Sequence, residues 1–192
     1  LGPKWQWKTT RFFGEDKTEH LTIYNRLCKT PKESLLKKEN KPNLLYFNFN
    51  QTTNNPLYSP HKNIRHIVKT ELSKRFKWNN SEPFSDYMQT LSTYKFCVSP
   101  PGRGIDTHRC WEALMMGTIP LLIHTPFDYL FDNLPVIIID DWETITKEYL
   151  EKQYEIILKN IEKYDFSILY TDYWTDILSS KKNDQEVGCP PL

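Results

Sequence analysis

The spacing of apolar positions along the chain predicts strands and helices in alternation. Short apolar runs bounded by polar residues predict buried strands at 44–49, 95–99, 119–123 and 135–139. Apolar residues at helical spacing predict helices at 61–76, 81–94, 107–116, from 140 to about 161, and 165–180. Because continuous apolar strands alternate with helices, we expect an α/β fold: a Rossmann-like parallel sheet with helices on both faces.

The same pattern divides the chain into three segments. Residues 1–42 form an aromatic and basic N-terminal segment that packs on the domain or is the remnant of an interdomain region. Its Lys- and Glu-rich part, 32–41, is predicted to be a solvated face or a loop. Residues 43–180 form the single α/β domain, in which Asp140 opens a helix with Glu143 completing a capping box. Residues 181–192 are expected to be a flexible tail.

Composition narrows the classes of function. The chain has 192 residues and a net charge of +1, which disfavours a general nucleic-acid binder because such proteins are usually strongly basic. No apolar segment is long enough to span a membrane, and no apolar leader is visible near Leu1. The compartment stays open: cytoplasmic, or Golgi-lumenal if the chain is excised from a longer membrane-anchored protein.

Cysteine and histidine spacing predicts no metal site. Cys97 and Cys110 fall in apolar strand and helix patterns that are typical of core residues. Four histidines lack the spacing of metal ligands: His20, His61, His66 and His124. His124 ends the 119–123 strand and is a candidate for ligand contact. We expect that no metal or other cofactor is required.

The stretch CVSPPGRGIDTHRCWEALMMGTIPLLI, residues 97–123, carries the candidate chemistry. Gly102 and Gly104 lie two residues apart just before a helix, at the carboxyl end of a strand, where ligands bind in open parallel sheets. On a helical wheel Trp111 falls on a core face. Arg109 and Glu112 fall one turn apart on the opposite face, which is expected to look out from the strand ends.

This arrangement suits a phosphorylated ligand. A helix N-terminus offers N–H groups, glycines allow close approach, and Arg109 can grip two phosphate oxygens, while Glu112 can accept from ribose hydroxyls. The plainer alternative is a surface Arg–Glu pair at i, i+3. The turn is not a Walker A loop, and Thr107 replaces the last glycine of a dinucleotide fingerprint.

One family shares these residues. The stretch KFCVSPPGRGIDTHRCWEALMMGTIPLLI, followed by LPVIIIDDWETIT, resembles the donor-binding C-terminal half of exostosin-like glycosyltransferases of the GT-B type. LLYFNFNQTTN and the opening GPKWQWK are similar to further motifs of that group, so the resemblance covers roughly residues 2–147. It implies that the domain binds a nucleotide sugar, with UDP or GDP as the nucleotide, and belongs to an enzyme.

The resemblance also implies roles for individual residues. Arg109 would hold the diphosphate and Glu112 the ribose. The remaining donor-binding residues would be Ser99, Gly102, Arg103, Gly104, Asp106 and His108 around the turn, with Asn50, Thr53 and Arg65 from the first strand and helix. The reaction would be inverting sugar transfer to a hydroxyl of a glycan or glycoprotein acceptor. The catalytic base stays unassigned, because in that family it usually comes from a second domain.

Two other interpretations stay open. The domain can be a non-catalytic module that binds a nucleotide sugar or a protein partner, or a phosphate-binding enzyme on a similar sheet. Sequence alone does not name the sugar, the acceptor or the oligomeric state.

Overall fold

The centre of the domain is a four-stranded parallel sheet. The computed structural model describes residues 31–53 and 63–185. Its strands are β1 (Asn43–Tyr46), β2 (Tyr94–Val98), β3 (Ile119–Ile123) and β4 (Ile137–Ile139). They pair in parallel in the order β1-β2-β3-β4. The predicted α/β class and parallel sheet are confirmed, and β3 has the predicted bounds.

Helices cover both faces of this sheet, as the alternation of the pattern predicts. The α-helices are α1 (Pro31–Leu36), α2 (Ile64–Leu72), α3 (Phe84–Ser92), α4 (His108–Met115), α5 (Lys147–Lys159) and α6 (Thr171–Gln185). Single 3₁₀ turns lie at Lys38–Asn40, Asp128–Phe131, Trp142–Thr144, Ile161–Lys163 and Phe166–Leu169. The last helix therefore continues past residue 180, where the flexible tail is predicted to begin.

Alternation along the strands assigns each side chain to one of the two layers. On one face, Phe96 and Val98 of β2 pack with buried residues of α2 and α5. On the other face, Cys97 packs with α3 and α4, and Leu122 of β3 packs with Trp111 of α4. Because successive residues of a strand point to opposite faces, alternate residues of each apolar run belong to the cores on the two sides of the sheet.

The helix predicted to open at Asp140 begins later. Asp141, and not Asp140, accepts a hydrogen bond from the Glu143 amide and caps the turn Trp142–Thr144. Thr146 then accepts from the Tyr149 amide and begins α5. The predicted start is wrong because two consecutive caps are present, and the buried Ile145 between them has extended backbone.

The Lys- and Glu-rich stretch at 32–41 is solvated over most of its length, with residues 33 and 36–40 exposed. Leu35 of α1 nevertheless lies in the main core. The helix α1 also packs against the end of α4, where the Ser34 hydroxyl donates to the Met116 carbonyl oxygen. Gly117, which follows α4 with φ +63°, allows this close approach. A Cβ at residue 117 would lie only 2.7 Å from the Leu35 amide nitrogen. The predicted solvated face is therefore interrupted by a few buried positions that are set by tertiary contacts.

Lys41 is the second buried position of this segment. Its side chain is only 1% exposed. The ammonium group donates to three carbonyl oxygens, those of Ser92 (2.9 Å), Tyr94 (3.3 Å) and Met116 (3.3 Å), and to the Thr118 hydroxyl (3.4 Å). Lys41 therefore joins the C-terminal ends of α3 and α4 at the amino edge of the sheet.

Cys97 and Cys110 are buried free thiols, as predicted for core residues. Cys28 and Cys189 lie outside the described residues, as do Trp7 and the rest of the GPKWQWK motif. The helices of the described part of the chain include none that is long and apolar enough to cross a membrane.

Candidate functional site

The candidate site lies at the carboxyl edge of the sheet. The loop after β2 and the first turn of α4 form one wall of an open cleft, and the loop after β3 forms the other. The first wall includes Ser99, Asp106 and Thr107, and the second includes Thr125 and Asp128. About 330 Å³ of space lies between these walls, and this volume includes open solvent. This is the edge at which the sequence places the site.

Arg65 ties together the loops that follow β1 and β2. Its guanidinium donates to the carbonyl oxygens of Asn50 (2.7 Å), Pro101 (2.8 Å) and Pro100 (3.2 Å). The side chain is buried, and burial lowers its pKa to about 10, helped by the nearby charge of Arg109. Arg65 therefore fixes the two loops at this edge through hydrogen bonds within the chain.

Residue 102 has to be a glycine because the Arg65 side chain packs directly against its Cα. A Cβ at Gly102 would come 2.6 Å from the Arg65 Nη2 atom, whereas a Cβ at Gly104 would meet the Asp106 carbonyl oxygen at 3.2 Å. The Gly102 amide donates to the Gly104 carbonyl at 3.0 Å, so this N–H bond points within the turn. The contact that requires glycine at residue 102 in this structure is made by the protein itself.

We expect Gly102→Ala to lower the free energy of unfolding by about 1–3 kcal/mol, because the new methyl group displaces a guanidinium held by three carbonyls. Urea denaturation of the parent and variant measures the change. Gly104→Ala is the matched control, since its nearest contact is longer, and we expect a loss below about 1 kcal/mol. Equal losses in the two variants would show that Arg65 does not set the requirement at Gly102.

The first turn of α4 faces the cleft. Asp106 accepts a 2.6 Å hydrogen bond from the Trp111 indole, which fixes the chain as it enters the helix. Thr107 occupies the N-cap position, but its side chain caps no amide and its buried Oγ1 atom has no hydrogen-bond partner. Thr107 therefore lines the cleft, and its buried hydroxyl has a hydrogen-bonding capacity that is unused among the described residues.

Arg109 and Glu112 lie in a buried aromatic pocket on the other side of α4. The Arg109 guanidinium carbon lies 5.2 Å from the ring centre of Tyr87 and 5.9 Å from that of Tyr46. Glu112 is 6% exposed and accepts a 3.0 Å hydrogen bond from the Tyr87 hydroxyl. The prediction that this helix face looks out is wrong, because α3 packs over it.

The charges in this pocket are held away from water. Burial raises the pKa of Glu112, against the opposing effect of Arg109. Burial disfavours the charged form of Arg109, whereas the ionisable groups around it, first Tyr87 and Cys97 and then Glu112, favour that form and keep the pKa above its usual value. Arg109 is therefore cationic, and its buried Nη1 atom has no hydrogen-bond partner within residues 31–53 and 63–185.

The remaining predicted residues lie around the edge. Asn50 accepts from the amide and hydroxyl of Thr52 and so closes a turn after β1. Thr53 is half-buried, whereas Arg103, Gly104 and His108 are exposed. Ser99 is buried and lines the cleft. The predicted residues thus share one edge, but Arg109 and Glu112 are not among those that line the cleft.

Sequence reasoning missed the residues that enclose this arrangement. Tyr46 and Tyr87 surround Arg109, and Thr125 and Asp128 form the second cleft wall. A signal existed for the second wall, because Thr125 and Asp128 directly follow a strand of the predicted parallel sheet. Nothing in the local pattern indicated that Tyr87, 22 positions before Arg109, would lie over it.

Within residues 31–53 and 63–185, no group of three or more His, Cys, Asp or Glu side chains is placed to hold a metal ion. No protein-family model matches the chain, and no curated protein matches it. We therefore infer function from the geometry of the edge and from the motif at residues 97–123.

Proposed function

We propose that this domain binds the diphosphate of a nucleotide sugar at the carboxyl edge of its sheet, as the donor-binding half of a glycosyltransferase. The reaction is transfer of the sugar to an acceptor hydroxyl of a glycan or glycoprotein, with inversion at the anomeric carbon. The support is chemical, from the charges and unused donors at the edge, and comes also from the resemblance of residues 95–147 to the exostosin-like group.

The observation that carries the proposal is the unpartnered Nη1 atom of Arg109. Buried polar groups are normally hydrogen-bonded, and among the described residues the Nη1 atom has no hydrogen-bond partner, while the Cys97 thiol, a weak acceptor, is the neighbour of this guanidinium that can accept; such an arrangement needs a reason. A phosphate oxygen is an acceptor of matching charge. Arg109 is half-buried as a whole, so part of its side chain is open to approach from the edge.

The surrounding charges favour an anion on balance. Arg65 and Arg109 lie close enough for their charges to interact, and Glu112 is the buried carboxylate beside them. The N-terminus of α4 adds partial positive charge next to the cleft. The carboxylates of Asp106 and Asp128 at the cleft walls disfavour anion binding, although that of Asp106 already accepts a hydrogen bond from the Trp111 indole.

Phosphate contacts from fixed positive groups would stabilise the departing diphosphate, a task that a metal ion performs in other transferases. In this arrangement Arg65 keeps the two loops in place and Glu112 with Tyr87 positions Arg109. The ribose contact of Glu112 remains part of the proposal, with one of its carboxylate oxygens already bound by Tyr87.

Arg109→Lys is expected to weaken binding of UDP or GDP by roughly 10- to 150-fold, which corresponds to about 1.5–3 kcal/mol for hydrogen bonds to charged groups. Lysine keeps a cation beside Glu112, so the fold is maintained, but it loses the planar fork. Titration calorimetry of parent and variant measures the change.

Two further variants serve as a comparison and a control for that result. Arg109→Ala leaves the buried Glu112 without its cation and is expected to lower stability as well as affinity. Lys74→Met removes an exposed positive charge that pairs with Glu71, and we expect it to leave nucleotide affinity unchanged. Affinity of Arg109→Lys within twofold of the parent would remove Arg109 from the phosphate site. Tight binding without any sugar transfer by the complete enzyme would favour the non-catalytic module.

A further inference from the structure

His124 and Asp128 form a pair on the second wall of the cleft. His124 is the first residue after β3, and its ring nitrogen Nδ1 contacts the Asp128 carboxylate oxygen Oδ2. The His124 side chain is 69% exposed, whereas that of Asp128 is 21% exposed. The imidazole therefore lies on the solvent side of a partly buried carboxylate.

The carboxylate is held in place by its own loop. Asp128 Oδ1 accepts hydrogen bonds from the Thr125 amide (2.9 Å) and from the Thr125 hydroxyl (3.1 Å). The His124 amide donates to the Ile139 carbonyl at 2.9 Å, which extends the contact between β3 and β4 by one residue. Both members of the pair are thus anchored, one by the loop and the other by the sheet.

This anchoring decides which imidazole nitrogen is basic. A carboxylate only accepts hydrogen bonds, so the neutral ring places its proton on Nδ1 and leaves Nε2 with a free lone pair. Ile123, Thr125 and Asp128, the neighbours of His124 in this segment, line the cleft. A histidine oriented by a carboxylate at the edge of a binding cleft has the arrangement of a general base.

We propose that His124, in place of a residue from a second domain, is the base of the sugar transfer and that Asp128 is its positioning residue; this inference rests on the proposed function. Nε2 accepts the proton of the attacking hydroxyl as that O–H bond breaks. The hydroxyl oxygen bonds to the anomeric carbon, and the bond from this carbon to the diphosphate oxygen breaks, with its electron pair leaving on the nucleoside diphosphate. The co-reactants are a nucleotide sugar and an alcohol or water.

Water as the attacking hydroxyl allows a test on the chain as it is. We expect slow release of nucleoside diphosphate from UDP- or GDP-sugars, and His124→Ala should slow the release at saturating donor by at least about 100-fold. Nucleoside diphosphate affinity, measured by calorimetry, should stay within twofold. Added imidazole should restore part of the release in His124→Ala.

Two variants separate a catalytic pair from a surface ion pair. Asp128→Asn should slow release at least tenfold, because an amide can donate to Nδ1 and so favour the tautomer that is protonated on Nε2. Added imidazole should not help this variant as it helps His124→Ala. His66→Ala, which removes an exposed histidine of α2, is the control and should leave release unchanged.

The outcomes distinguish this inference from the proposed function. Absence of nucleoside diphosphate binding to the parent overturns the proposed function and this inference with it. Binding with no measurable release, or release that is unchanged in His124→Ala, overturns the role of His124 and leaves the nucleotide site standing. If the rate of release and the nucleotide affinity fall in proportion in His124→Ala, His124 acts in binding, and its role as base is overturned.

Discussion

Replacing Trp111 with alanine is expected to lower the free energy of unfolding by about 3–5 kcal/mol. Trp111 is 4% exposed and packs against Phe131 with ring centres 5.4 Å apart. The substitution leaves a large cavity between α4 and the turn after β3, and it removes the indole that donates to Asp106. Since small domains have only about 5–15 kcal/mol of stability in total, this loss is a large fraction of the stability of the domain.

Urea denaturation followed by circular dichroism measures this loss. Trp111→Phe is the companion variant, because it keeps most of the apolar volume but removes the N–H donor, and we expect a smaller loss. A Trp111→Ala protein within about 1 kcal/mol of the parent that has lost nucleotide binding would contradict the core position of Trp111.

The second large effect is expected at Lys41. Lys41→Met keeps the length of the side chain but removes the donor that joins three backbone carbonyls and the Thr118 hydroxyl. Because these buried acceptors lose a partner, we expect stability to fall by about 3 kcal/mol near pH 10, where little of the desolvation cost of the buried ammonium group remains to be relieved. Chemical denaturation at that pH measures the change, and Lys38→Met, which breaks an exposed pair with Glu155, should cost less than about 1 kcal/mol.

Lys41 also predicts a pH dependence. Burial lowers its pKa to about 7 in the folded protein, whereas the unfolded chain has the usual lysine pKa of about 10.4. Between these values the unfolded state binds more protons, so this group makes stability rise with pH, by at most about 1.4 kcal/mol per unit. Below about pH 7 the contribution is flat. Subtracting the curve of Lys41→Met from that of the parent should isolate this slope, and a flat difference would contradict it.

The sheet was predictable because apolar runs bounded by polar residues are local signals. IPLLI gives β3 with its observed bounds, and KFCVS overlaps β2 in four of its five residues. The presence of helices on both faces of the sheet could also be inferred, because few architectures accommodate parallel strands that alternate with helices. The helix of residues 107–116 was placed within one residue of each end of α4.

The interior of the site was less predictable, because its contacts join distant parts of the chain. A helical wheel shows that Arg109 and Glu112 share a face, but it cannot show that α3 covers that face. Arg65 was assigned to a ligand, whereas its three carbonyl partners come from two different loops. A charged residue that is buried through such long-range partners has the same local pattern as an exposed one.

NMR titration of the labelled chain with UDP and GDP locates the proposed nucleotide site. We expect saturable shifts of backbone amides that are largest at 99–109 and in the loop at 124–128. Uridine and guanosine without phosphates should give weaker shifts at the same concentrations. No saturable shifts with either diphosphate, or shifts centred on Lys41 at the opposite edge of the sheet, would contradict the proposed site.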